Sequence, residues 1–206
     1  MGRPKQFEPD VAVDRAMDLF WQQGYAGTTP AELTAALGIG KGSLYNAFGS
    51  KHDLFLLVLR RYTALRLAEL RDTLSGPGPI APRLRTAVRM LSGLGVHERG
   101  CVMVNAVAEL GGTDAAAAAI ATELFQGIES AFDEAVVRGV GSGEFVAGPQ
   151  ADVAGAQLLA AVIGLSVLGR AGVLTEEAVG AADATISALG GRPGAVDALP
   201  SAAAAR

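Results

Sequence analysis

Apolar side chains recur at three- and four-residue intervals along most of this chain, the period of helices that bury one face. Ala12, Ala16, Leu19 and Phe20 form such a face between about Pro9 and Gln23, while Asp10, Asp14 and Asp18 mark a second face expected in water. Gly24 supplies a stop, after which Tyr25 is expected to fold back onto the core. Thr28-Thr29-Pro30 then offers two hydroxyl caps and a proline suited to a first helical turn. A short helix from Pro30 to Leu37 follows, with Leu33, Ala36 and Leu37 expected inward. Gly38-Ile39-Gly40 reads as a turn holding a buried isoleucine, and a second short helix, Lys41 to Phe48, starts at once. Two short helices about a glycine-bearing turn make a helix-turn-helix unit.

Gly49-Ser50 breaks the chain again, and Ser50 is placed to cap a long helix from Lys51 to about Leu74 with the apolar stripe Leu54, Phe55, Val58, Leu59, Tyr62 and Leu65. Ser75 to Pro79 is the clearest loop. Helices are then predicted from Ile80 to Leu94, from Cys101 to Leu110, from a Thr113 or Asp114 cap to Gly139, from Gln150 to Arg170 and from Thr175 to Leu189. Gly95–Gly100 and Gly141–Pro149 are the connectors, and no internal repeat or strand pattern appears.

Composition narrows the class. Half of the residues are hydrophobic, 18% are charged and 5% are aromatic, which excludes a disordered chain and suits closely packed helices. The net charge of −4 is unevenly spread: residues 1–73 carry nine Lys/Arg against eight Asp/Glu, and residues 74–206 carry eight against thirteen. The first part is therefore only marginally basic, and any attraction to phosphates has to come from placement rather than bulk charge. A single cysteine, Cys101, excludes an internal disulfide and suits a reducing cytoplasm. The N-terminus lacks the apolar stretch of a secretory signal and the Ser or Thr of a myristoylation pattern. Val153 to Gly169 is apolar apart from Gln157 and Ser166, the bottom edge of a membrane span; its small residues and missing anchors favour an interface helix and no membrane.

The run GTTPAELTAALGIGKGSLYNAFGSKHDLF, Gly27 to Phe55, with Ala16, Leu19-Phe20 and Gly24-Tyr25 upstream, resembles the N-terminal signature of the TetR (TetR/AcrR) family of bacterial transcriptional regulators. The resemblance covers about residues 9–60. It implies an all-α fold of about nine helices: an N-terminal three-helix helix-turn-helix domain at 1–50, a connecting helix at 51–74, a helical ligand-binding and dimerisation bundle at 75–192 and a flexible tail at 193–206. It implies repression of a double-stranded DNA operator, a homodimer through the last two helices, and a small-molecule effector. Two recognition helices in a dimer call for half-sites roughly 34–36 Å apart, hence a palindrome.

The residues of this segment point the same way. Leu44, Ala47 and Phe48 are expected to anchor the second short helix, which presents Lys41, Gly42, Ser43, Tyr45 and Asn46 outward. Lys41 and Asn46 can donate to bases or phosphates, Gly42 allows close approach, and Ser43 and Tyr45 offer hydroxyls. Thr28, Thr29 and the amides of the Pro30 helix suit a phosphate clamp, and Lys51 a second one. Arg3 and Lys5 fit either a DNA-contacting arm or a disordered tail.

Past residue 75 one local pattern stands out. RGCVMVNAVAELGG, Arg99 to Gly112, looks like a Gly-Cys-aliphatic-x-x-Asn stretch of one subgroup of the same family. Cys101, at a helix N-terminus near Arg99 and His97, fits either a reactive thiolate sensing oxidants or electrophiles or a small packed core residue. Asn105 and Glu109 share its helical face, either as a polar lining for a pocket or as hydrated surface. Met90, Leu94, Met103, Phe125 and Phe132 are candidate pocket walls or plain core. HExxH, P-loop and dinucleotide motifs are missing, so no cofactor, metal or catalytic residue is expected. An all-helical enzyme and a helical adaptor that does not bind DNA are the alternatives from other classes.

Overall fold

The computed structural model describes residues 8–94 and 100–190. Ten helices and no strand occur among them: α1 (Pro9–Gly27), α2 (Pro30–Leu37), α3 (Lys41–Phe48), α4 (Lys51–Ser75), α5 (Ile80–Ser92), α6 (Val102–Leu110), α7 (Ala115–Gly141), α8 (Pro149–Asp152), α9 (Ala154–Arg170) and α10 (Glu176–Leu189). The all-α expectation therefore holds, with one helix more than the sequence pattern implies. Arg3, Lys5, His97, Arg99 and the expected tail lie outside the described residues.

The first three helices and the start of α4 close around Ala16, Phe20, Leu33, Leu44, Leu54 and Phe55, all nearly inaccessible. α4 then continues into the second half of the molecule, where Leu67, Leu70 and Leu74 turn toward α5 and α7. α7 packs against both α4 and α9, and its Leu124 and Phe132 are fully buried. The buried side chains form one connected cluster along α4, so the helix is a shared structural rod rather than a tether.

Local chemistry fixes the first helix ends. Thr29 and Glu32 make a reciprocal capping box at the start of α2, and Gly38 ends that helix with a left-handed φ of 69° that a side chain would strain. Ser50 caps α4 by accepting from Asp53 N at 3.0 Å. Asp114 caps α7 by accepting from Ala116 N and Ala117 N at 3.0 Å each.

Other ends are capped from far along the chain. Glu144, after α7, accepts from the backbone N–H groups of Ile80 and Ala81 at the start of α5. Asp133 of α7 accepts from Gly155 N at 3.0 Å in the first turn of α9. Arg83 donates to the carbonyls of Leu74, Gly76 and Gly78, closing the C-terminal end of α4.

The structure corrects several readings. The helix expected from Gln150 to Arg170 is two helices, because Val153 leaves helical geometry at φ −116°, ψ 5°. α1 is interrupted at Gly24, whose φ of 76° and ψ of 176° place one further turn beyond the break. Ala36, Ala47 and Leu65 are exposed, and Ile39 is only half-buried. Asp14 is not simply solvated: Arg61 Nε and Nη2 donate to its two oxygens at 2.6 and 2.8 Å. That fork holds the Asp14 carboxyl below the ordinary range.

Candidate nucleic-acid interface

α3 is eight residues long and too short to persist alone, so its anchoring decides its orientation. Leu44 and Phe48 are buried against the core, which turns Lys41, Gly42, Ser43, Tyr45 and Asn46 to the surface. Tyr45 is 38% exposed and belongs to no aromatic cluster among the described contacts. A Cβ built on Gly42 would meet open space, so nothing inside the subunit requires glycine there. No side chain caps the start of α3 at Gly40. The result is a rigid outward face with one lysine, two hydroxyls, one carboxamide and a bare backbone patch.

The flanking threonines divide in role. Thr28 is 1% exposed and its hydroxyl donates to Gly24 O at 2.7 Å, so the side chain is turned into the fold rather than toward a phosphate. Thr29 is exposed, yet its hydroxyl and backbone N–H both donate to Glu32 Oε2, at 2.7 and 2.8 Å. The anion position at the start of α2 is therefore filled by the protein's own carboxylate. Those bonds hold the Glu32 carboxyl below its ordinary range. Lys51 donates to Thr28 O at 2.7 Å and stands 4.3 Å over the Tyr25 ring. It braces the α1–α2 corner, and reaching a phosphate would require leaving that corner.

Around Tyr25 the two halves of the molecule meet. Tyr25 packs on Phe20 and Phe55, and its hydroxyl is pushed above its usual pKa first by burial and then by Asp114, Glu109 and Asp53. Glu109 of α6 accepts from Tyr25 N at 2.8 Å and from Ala26 N. His52 and Asp114, which no sequence pattern pairs, lie in contact between α4 and the start of α7.

The Cys101 neighbourhood lies deeper. Cys101 is 8% exposed, at the N-cap position of α6, and Tyr62 donates its hydroxyl to Cys101 Sγ at 3.2 Å. Burial, then the adjacent thiol, raises the Tyr62 pKa well above normal. Trp21 Nε1 donates to Gly100 O at 3.0 Å, and Arg66 stacks over Tyr62. Tyr62 was legible only as an apolar-stripe residue, and Trp21 and Arg66 carried no signal of this grouping. Asn105 is half-buried and Glu109 exposed, so the face they share with Cys101 runs from the core out to α1. Of the proposed pocket walls, Met103 and Phe132 are fully buried core, whereas Met90, Leu94 and Phe125 are partly buried against it.

This arrangement, a helix-turn-helix unit presented on an all-helical bundle, defines a class of DNA-reading regulator. The sequence profile described as "Bacterial regulatory proteins, tetR family" matches residues 12–58. The uncharacterized HTH-type transcriptional regulator YezE of Bacillus subtilis (strain 168) is 31% identical over 147 residues, 70% of this chain and 76% of that protein. The HTH-type transcriptional repressor BdcR of Escherichia coli (strain K12) is 31% identical over 137 residues, 66% of this chain and 70% of that protein. A cysteine mutant of the TetR family transcriptional regulator CifR, solved in complex with 26-bp double-strand operator DNA, is similar with a TM-score of 0.76 and 30% identity, covering 91% of this chain and all of that one. The chain belongs to the TetR family of bacterial regulatory proteins and is a DNA-binding transcriptional regulator. No helix among the described residues is long and apolar enough to cross a membrane.

Proposed function

We propose that the protein is a cytoplasmic, non-enzymatic repressor that binds a palindromic operator as a homodimer and leaves it when an effector binds the bundle. The observation that carries this reading is the α3 face: Lys41, Gly42, Ser43, Tyr45 and Asn46 are all exposed on a helix pinned by Leu44 and Phe48. The operator complex of CifR and the repressor name of BdcR support it. Thr29 joins the face once Glu32 yields its place to a phosphate, while Thr28 and Lys51 act by holding the corner that supports it.

Dimerisation falls to α9 and α10. α9 leaves Ala156, Ala160, Gly164 and Val167 exposed along one side, and α10 leaves Gly180, Ala181, Ala184 and Ala188 exposed, small residues that let helices of a second subunit approach closely. Effector binding then acts by linkage, needing about 1–3 kcal/mol of difference between DNA-bound and released geometries. The contacts Glu109–Tyr25, His52–Asp114 and Trp21–Gly100 are among the direct ties through which bundle and reading head would move together.

The test is fluorescence anisotropy with DNA from upstream of the protein's own gene. Binding should weaken steeply with salt, and Lys41→Ala should lower the salt slope by about one phosphate contact. Asn46→Ala should cost about 1–3 kcal/mol on the preferred sequence only. Salt-insensitive or absent binding by the intact dimer rejects the repressor reading in favour of an adaptor.

A second reading concerns Cys101. The Tyr62 hydroxyl that donates to its sulfur is the observation that supports a response to oxidants or electrophiles, while the thiol's burial favours the packed-core alternative. Cys101→Ser should abolish oxidant-induced release from DNA; unchanged release assigns Cys101 to the core.

A further inference from the structure

A cleft of about 250 Å³ lies between the C-terminal half of α7 and the short α8. An apolar cavity of about 150 Å³ already accepts benzene, so this one has room for a six-carbon chain or for one ring with a short arm. Val136, Val137 and Val140 line it from one face of α7, with Ala151 of α8 across from them. Val137 is 70% exposed, the most exposed large apolar side chain among the described residues. Two carboxylates share this apolar lining, Asp133 of α7 and Asp152 at the end of α8, and no Lys or Arg lines the cleft among the described residues. Asp152 is exposed, and its carboxylate has no hydrogen bond or ion pair among those residues. Asp133 is half-buried; its Oδ1 accepts from Gly155 N at 3.0 Å, and its Oδ2 has no partner among them. Neighbouring charges are engaged elsewhere: Arg138 donates to Leu74 O, and Glu144 accepts from the amides that start α5. Two like charges beside valine surface favour a guest with one positive charge and an apolar body.

We propose that this cleft binds small lipophilic monoamines in their ammonium form, Asp133 and Asp152 holding the charge and the valines the hydrocarbon. A hard divalent cation takes about six oxygens or more, whereas the side chains beyond these two carboxylates are aliphatic. None of the α9 and α10 residues proposed to meet a second subunit lines the cleft, so pairing through those faces and ligand entry do not compete. Asp133 also ties the site to α9. A Cβ built on Gly155 would lie 2.2 Å from Asp133 Oδ1, so the carboxylate rests directly on the backbone of the first turn. An ammonium that draws Asp133 into the cleft loosens the bond to Gly155 N and shifts the start of α9. That makes the amine an effector, a role that rests on the repressor and dimer reading; the binding itself does not need DNA.

The full-length protein is titrated by calorimetry with hexylamine and phenethylamine, each against the matching alcohol, at about pH 7, where alkyl amines are charged as lysine is. Saturable binding is expected for at least one amine, about tenfold or more tighter than for its alcohol, which lacks the charge-assisted hydrogen bonds. Asp152→Asn should weaken binding several-fold and Asp152→Glu should retain it. Adding Asp133→Asn, which keeps an acceptor for Gly155 N, should weaken it further. Val137→Lys sets a fixed cation at the mouth and should abolish binding; it decides the site if the double asparagine variant does not melt natively. No saturable heat with either amine, equal affinity for amine and alcohol, or undiminished binding in a natively melting double variant overturns the site. Displacement of the amine by magnesium or calcium chloride beyond that by sodium chloride of equal ionic strength overturns the organic-cation reading. Amine binding that leaves operator affinity unchanged overturns the effector role. Failure of the ligand-free protein to bind operator at all overturns the repressor reading instead, and calorimetry still decides the cleft.

Discussion

His52 Nε2 lies 2.6 Å from Asp114 Oδ2, and this contact joins the first turn of α4 to the N-cap of α7. Asp114 does two jobs with its two oxygens: Oδ1 accepts from Ala116 N and Ala117 N while Oδ2 meets the imidazole. Asp114→Ala should therefore cost about 1–2 kcal/mol in urea denaturation, the usual loss for an N-cap, with operator affinity altered as well. His52→Ala should cost less, because the cap survives. Equal costs for the two variants would mean that the imidazole contact, not the cap, carries the energy.

Acid should weaken the fold through the same group and through Asp14. Amide bonds from Ala117, then the His52 contact, lower the Asp114 pKa, and the Arg61 fork lowers that of Asp14. A carboxyl that titrates lower when folded stabilises fully above its unfolded value, 3.8 here, and loses that contribution as pH falls through the folded value. Stability measured at fixed urea should thus be insensitive to these groups at neutral pH and fall below about pH 4. Replacing both with asparagine should flatten that fall. An unchanged acid limb in the double variant would assign it to other carboxylates.

In the DNA-reading half the bounds of α2 and α3 and the start of α4 were legible because their punctuation is local. Thr29, Pro30 and Glu32 start α2, Gly38 stops it, and Ser50 starts α4, each acting within a few positions along the chain. In the bundle, α5, α6, α7 and α10 lie close to their expected bounds, but two helix starts are capped by remote carboxylates that no local pattern announces. Asp133 serves α9, Glu144 serves α5, and Glu109 serves the turn after Gly24. Asp133 and Glu144 carry no local signal of this role, Glu109 reads equally as pocket lining or hydrated surface, and the break at Val153 has no Gly or Pro of its own to announce it. The α3 face was readable from spacing, yet the engagement of Lys51 and Thr28 within the fold depends on how Tyr25 packs, which spacing does not encode.

Glu32 occupies the start of α2 with its carboxylate on Thr29, the position that the proposed operator interface would give to a phosphate. Glu32→Gln keeps an acceptor for the Thr29 hydroxyl and removes the charge. Operator binding should tighten a few-fold at low salt, with the difference shrinking as salt rises, because a like charge beside the phosphates has gone. Glu32→Ala should show the same electrostatic gain with a weaker α2 cap. Anisotropy titrations across a salt series distinguish these; weaker binding by Glu32→Gln would overturn the repulsion, and weaker binding by Glu32→Ala alone would mean that the capping box is what holds α2 on the DNA.

Gly24 and Glu109 should prove energetically coupled. Gly24 adopts φ 76°, ψ 176°, a region that essentially only glycine enters, and a Cβ there would lie 2.9 Å from Glu109 Oε2. Gly24→Ala should cost about 1–3 kcal/mol from backbone strain and also push the carboxylate off the Tyr25 amide. Glu109→Ala removes the same hydrogen bonds directly, at a smaller cost because water can reach the freed amides at this exposed site. The double variant should then lose less stability than the two single losses added, because the contact can be broken only once. Additive losses in a denaturation cycle would show that the strain at Gly24 is local, and that α1 and α6 are held together elsewhere along their packed faces.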